Sequence, residues 1–167
     1  MEQPQSSAPV SAYAEIDIAA PSRLVWAILA DVASWPTWNP AIRHAVRDHS
    51  QEVGSQFRFS TEIGTLKCRF TRVDAPTSLA WDGRVLMLWE RQAWDLEPSL
   101  KGTRVSVHAE MTGLVSRLLR RRLTERLQNV LDAVLQLLRL EAEVRVQEEQ
   151  EDAVPAIKLD GKALAHD

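Results

Sequence analysis

Between residues 12 and 20 the apolar side chains of Ala14, Ile16, Ile18 and Ala20 alternate with Glu15 and Asp17, the two-residue period of a strand with one buried face. Pro21 suits the first turn of a helix, where its missing N–H has no partner to lose, and Leu24, Val25, Ile28 and Leu29 then recur at helical spacing up to Asp31. Pro36 and Pro40 leave room for one more helical turn around residues 33–37. From there to Thr112 the pattern is a succession of strands, expected at 42–48, 55–61, 65–73, 79–86, 88–96 and 103–111. Gly54, Gly64, the Asp74-Ala75-Pro76 turn and Lys101-Gly102 separate them. Alternation is clearest over 66–70 and 105–111, where one face is apolar and the other polar, so the sheet is expected to be antiparallel with one wet face.

After Gly113 the period lengthens. Val115, Leu118, Leu119, Leu123, Leu127, Val130, Leu131, Val134, Leu135 and Leu138 mark one stripe of a helix of about seven turns. Beyond Glu141 carboxylates crowd the chain, and the helix is expected to fray there into a solvated tail. The expected organisation is a disordered lead over 1–11, one folded domain over 12–146, and an acidic, flexible tail over 147–167. A strand, two short helices, six strands and a long helix imply an α+β fold. In it a curved seven-stranded antiparallel sheet wraps around the C-terminal helix.

Composition narrows the functional classes. With 167 residues, 45% of them hydrophobic, one real core is affordable. A net charge of −3 gives no overall attraction to nucleic acid. No apolar run is long enough to cross a bilayer, so no integral membrane association is expected. The single cysteine, Cys68, excludes an internal disulfide, and residues 1–7 have neither a basic start nor an apolar stretch for export, which points to the cytoplasm. His44, His49 and His166 do not have the spacing of a metal site, and nucleophile-elbow, phosphate-loop and dinucleotide motifs are absent, so neither a metal nor a cofactor is expected.

The order of elements carries a resemblance. Ile18-Ala19-Ala20-Pro21 leading to Val25-Trp26, then Leu29-Ala30-Asp31 and Trp35-Pro36-Thr37-Trp38-Asn39-Pro40, resembles the opening of the SRPBCC superfamily. Leu79-Ala80-Trp81-Asp82-Gly83, Trp94-Asp95-Leu96-Glu97-Pro98, Gly102-Thr103-Arg104-Val105 and Glu110-Met111-Thr112-Gly113 stand where similar sequences place comparable motifs. The superfamily holds polyketide cyclase/dehydrase and lipid-transport (START-like) proteins on a helix-grip fold. The resemblance covers about residues 12–140 and implies a cavity between sheet and helix, without specifying an activity.

The three tryptophans Trp26, Trp35 and Trp38 either plug the end of the sheet or line the mouth of such a cavity. Candidate lining residues are Trp38, Phe57, Phe59, Phe70, Trp81, Gln92, Trp94, Val107, Leu119 and Leu123. Gln92 is distinctive, an amide on a face shared with Trp94 and Leu96, where a buried amide requires partners. Similar sequences tend to carry a histidine at this position. His108 and Glu110 share a strand face with Arg104 and Ser106, which assigns them to solvent rather than to acid–base chemistry. No buried ionisable pair is legible on the inward face. Binding or transport of an apolar small molecule or lipid is therefore read ahead of a polyketide cyclase/dehydrase-like enzyme and of a protein-interaction module. Arg117, Arg120, Arg121 and Arg122 form a basic collar that could meet an anionic partner.

Overall fold

A computed structural model describes residues 8–48 and 50–153. Most of the expected lead, His49, and the tail from residue 154 with His166 lie outside the described residues. Strand β1 (Val10–Ile18) is followed by helix α1 (Ser22–Ala30), a short 3-10 turn and helix α2 (Trp35–Trp38). Six strands follow: β2 (His44–Arg47), β3 (Gln56–Thr61), β4 (Gly64–Asp74), β5 (Ser78–Val85), β6 (Leu88–Ser99) and β7 (Gly102–Thr112). Helices α3 (Leu114–Leu118) and α4 (Arg120–Ala153) complete the chain. The seven strands form one antiparallel sheet in the order β1-β7-β6-β5-β4-β3-β2. The α+β helix-grip architecture expected from the periodicity is the one observed.

The two-residue period sets the faces. Trp94 pairs with Leu79 and Val107, and Gln92 with Trp81 and Ala109, so inward-facing residues of adjacent strands meet in rows. Between Phe70 and Arg72 the β4 register shifts against β5, and the extra residue bends the strand and adds to the curl of the sheet. Past this bulge it is the odd-numbered Val73 that packs toward the core. His108 and Glu110 take the outer face, with His108 Nε2 3.9 Å from Glu110 Oε1.

Helix α4 lies along β1 and is tied to its backbone at two points. Gln128 Nε2 donates to the Tyr13 carbonyl at 2.9 Å, and the Ala19 N–H donates to Glu143 Oε1 at 3.2 Å. Fifteen helical residues rise about 22 Å and six strand residues span about 20 Å, so the two ties fit a helix running in step with the strand. They also satisfy backbone groups on what is otherwise an open sheet edge. Leu127, Leu131, Leu135, Leu138 and Ala142 form the buried stripe.

The helical region departs from the sequence pattern at both ends. The expected single helix is interrupted at Leu119 (φ −112°, ψ 24°), where Leu118 and Leu119 are exposed to solvent rather than packed on the core. At the other end α4 continues to Ala153 instead of fraying after Glu141. Fully buried Ala142, the Glu143 tie and the Arg145–Glu141 ion pair all lie in that stretch and hold it.

At the base of β7, Gly102 adopts φ +133°, and a Cβ there would lie 2.5 Å from the Ile18 carbonyl oxygen and 2.8 Å from the Ala20 nitrogen. Both neighbours are backbone and neither can yield cheaply. Gly102→Ala is expected to cost about 2–4 kcal/mol in urea unfolding, from the strained dihedral and the clash together.

Candidate functional site

The sheet curls away from α4 on the β3–β5 side, and aromatic rings fill the space. Trp35, on α2, stands edge-on to Phe57 (5.7 Å, 85°) and Phe59 (5.4 Å, 73°) and tilts against Trp81 at 5.6 Å. Phe70 packs on Phe57 at 4.5 Å, and Trp81 stacks on Trp94 at 6.0 Å. The Trp35 indole N–H donates to the Leu29 carbonyl at 2.9 Å, which fixes the ring that the others surround. Proline at the second position of α2 shapes this single turn, and the turn delivers both Trp35 and Trp38 to the interior.

A cavity of about 110 Å³ remains. Phe59, Thr61, Trp81, Gln92 and Trp94 form its sheet wall. Val130, Leu131 and Val134 of α4 face them, and Leu29, Trp35, Trp38 and Asn39 close one end, with Ala41 and Ile42 beside them. Of the candidates named from the sequence, Trp38, Phe59, Trp81, Gln92 and Trp94 come together here. Phe57 and Phe70 are buried behind Trp35, and Val107 is fully buried away from the cavity. Leu119 is exposed and Leu123 packs against the core, both closer to the start of α4 than the three helix residues that line the void. Trp26 packs against the core from outside and takes no part in the lining. The helix residues that do line it belong to the same apolar stripe, but periodicity does not say which turn of a helix lies over the gap.

Three buried polar residues face the void. Gln92 Oε1 accepts from Trp94 Nε1–H at 3.2 Å, and Gln92 Nε2 donates to the Glu90 carboxylate. Asn39 Oδ1 accepts from the Ala41 N–H at 3.1 Å, while its side-chain NH2 has no partner among the described residues. The indole N–H of Trp38 is buried without a partner among the described residues. At the rim, the Thr61 hydroxyl donates to the Gly64 carbonyl at 3.4 Å.

Glu90 is a partly buried carboxyl beside the cavity wall that the sequence reading misses. The alternation that turns Gln92 and Trp94 inward turns Glu90 inward as well, but its position near the β5–β6 turn, beside exposed Trp89, hides it. Loss of water contact raises its carboxyl above the ordinary carboxylate range, and the hydrogen bond from Gln92 opposes this only in part. Burial also pushes the nearby Cys68 thiol up, with the Glu90 charge adding to it, so that Cys68 is a neutral thiol. Among the described residues no group of three His, Cys, Asp or Glu side chains is placed to hold a metal ion. No described helix is long and apolar enough to cross a membrane.

Because Glu90 binds its proton more tightly folded than unfolded, it makes folding less favourable as pH rises from the unfolded value of about 4.5 through the folded one. Glu90→Gln removes that loss. Urea midpoints measured across this range should show the wild type losing stability relative to the variant with rising pH, then a constant difference.

Residues 9–143 match the family model described as polyketide cyclase / dehydrase and lipid transport. No curated protein matches the sequence. Among solved structures, a hypothetical protein of Helicobacter pylori superimposes with a TM-score of 0.72 at 16% identity, covering 83% of this chain and 91% of its own. StfQ, a di-domain ARO/CYC protein of the steffimycin biosynthetic pathway, gives 0.67 at 17% identity over 83% of this chain and 52% of its own. A START superfamily protein from Mycobacterium smegmatis gives 0.61 at 15% identity over 80% of this chain and 97% of its own. At these identities the likeness is one of fold.

Proposed function

The chain belongs to the polyketide cyclase/dehydrase and lipid-transport family, and from that premise we propose that it holds a compact apolar molecule bearing a hydrogen-bond acceptor in the cavity between sheet and α4. The observation that carries this reading is the combination of aromatic walls with buried polar groups that present donors. The Gln92 and Asn39 oxygens are already engaged, whereas the buried Trp38 N–H is free of a partner among the described residues. An unpaired buried donor carries a desolvation cost that a ligand carbonyl, ether or hydroxyl oxygen would relieve. The size of the void supports a small guest. At about 110 Å³ it is below the range of drug-sized sites and near that of apolar cavities that admit one aromatic ring. A longer lipid enters only if Trp38 or α4 yields.

Paired probes of equal shape test this. An aromatic ketone such as acetophenone and its hydrocarbon counterpart ethylbenzene are titrated into the protein while tryptophan emission is followed. Both should perturb the emission, and the ketone should bind more tightly. Trp38→Phe removes the donor together with the five-membered ring, so both probes feel the lost volume, and the ketone should lose about fivefold more affinity than the hydrocarbon, near 1 kcal/mol. Binding of neither probe would defeat the container reading; equal binding of both would defeat the donor argument alone.

Glu90 favours a second reading. A carboxyl beside Gln92 whose proton is held more tightly than usual is suited to proton transfer, and the ARO/CYC protein StfQ shares the fold. In a polyketide cyclase/dehydrase-like enzyme, Glu90→Gln should abolish turnover of a poly-β-ketone substrate while leaving acetophenone affinity intact. Retained turnover would remove Glu90 from that role.

A further inference from the structure

The end of the molecule where the β5–β6 turn meets the start of the helical region combines exposed apolar side chains with unpaired cations. Leu86 (77% exposed) and Met87 form the tip of the turn, and Leu114 and Leu118 (75% exposed) stand one turn apart on α3. The two elements are neighbours. Gly113, at φ +117°, brings its backbone against the Met87 carbonyl and the Trp89 ring so closely that a Cβ would lie 2.4 Å from the former. Trp89 is itself half exposed and carries the Arg84 guanidinium 5.3 Å from its ring centre. Arg117, Arg120 and Arg122 follow directly, exposed and without an ion-pair partner among the described residues, while Arg121 meets Glu125. Six of the eight acidic residues of α4 lie from Glu141 onward, so a net charge of −3 conceals a basic pole at its start.

Neither half of this surface is explained by folding. Exposed leucines and a methionine on a projecting turn lose free energy to water, and cations at the start of a helix oppose its dipole. One occupant satisfies both. We propose that this pole is a docking surface for an anionic lipid bilayer, in which Leu86, Met87, Leu114 and Leu118 enter the headgroup boundary and the arginines meet lipid phosphates. A bilayer is favoured over a protein partner because the apolar residues are exposed on the tip of a turn and on a short helix, with exposed cations directly beside them to complement lipid phosphates. The cavity residues take no part, so the inference stands apart from the ligand reading.

Co-sedimentation with phosphatidylcholine vesicles and with mixed phosphatidylcholine–phosphatidylglycerol vesicles tests it on the full chain. The protein should bind the mixed vesicles, release them as salt is raised, and ignore phosphatidylcholine alone. Arg120→Glu with Arg122→Glu, and separately Leu114→Ser with Leu118→Ser, should each weaken binding by at least about tenfold. All four side chains are exposed, and an unchanged urea midpoint will show that each variant is folded. Equal binding to both vesicle types, or wild-type binding by the arginine variant, would overturn the proposal. So would indifference to vesicles together with arginine-dependent binding of polyglutamate, which would make the pole a polypeptide site.

Discussion

A seven-stranded sheet is wider than any one helix can cover. Six inter-strand spacings span about 29 Å, whereas a helix with its side chains is about 10–12 Å across. In this protein α4 is committed to the β1 side, held there by Gln128 and Glu143, and so the inner face of β3–β5 must be covered by something else. The α1–α2 segment supplies it. The demand for rigid aromatic volume near Trp35 and Trp38 follows from this mismatch, as do the tilted and edge-on ring contacts that close the space without stacking it solid. The cavity is the remainder.

That remainder is unusual in its polarity. Ordinary apolar voids are lined by groups that need nothing, and they stay dry. Here Gln92 is pinned from both sides, by the Trp94 indole and the Glu90 carboxylate, while the Trp38 N–H is buried without a partner among the described residues. Each is buried by the packing that the sheet width imposes. A polar group stranded in such a place costs stability unless something pairs with it. The folded chain therefore keeps one unpaired indole N–H on the wall of an otherwise apolar space.

The sheet was legible in the sequence because its period is two over most of its length. Phe57, Phe59, Phe70, Trp81, Gln92, Trp94 and Val107, named from the sequence as inward candidates, are all buried. The site was legible only in part. Trp81, Gln92 and Trp94 could be placed on a wall, but the turn of helix opposite them depends on where α4 docks along β1, which two long-range hydrogen bonds decide. Glu90 was hidden because charge at a strand end ordinarily signals solvent, and only the curl of the sheet encloses it. The extension of α4 through its acidic stretch was hidden for the converse reason. A run of carboxylates looks solvated unless one knows that Ala142 and Glu143 are docked.

Five of the ties that position the elements share one property: they end on main-chain atoms. Gln128 reaches the Tyr13 carbonyl, Glu143 the Ala19 amide, Trp35 the Leu29 carbonyl, Gln51 the Ala30 carbonyl and Thr103 the Ala20 carbonyl. A main-chain carbonyl is present whatever residue stands there, and an amide is missing only from proline. These bonds place no demand on the receiving side chains, which answer only to packing, as buried Ala20, Leu29 and Ala30 do. A scaffold fastened in this way can keep its geometry while most of its letters change, which agrees with a close superposition onto a chain that shares 16% of its residues.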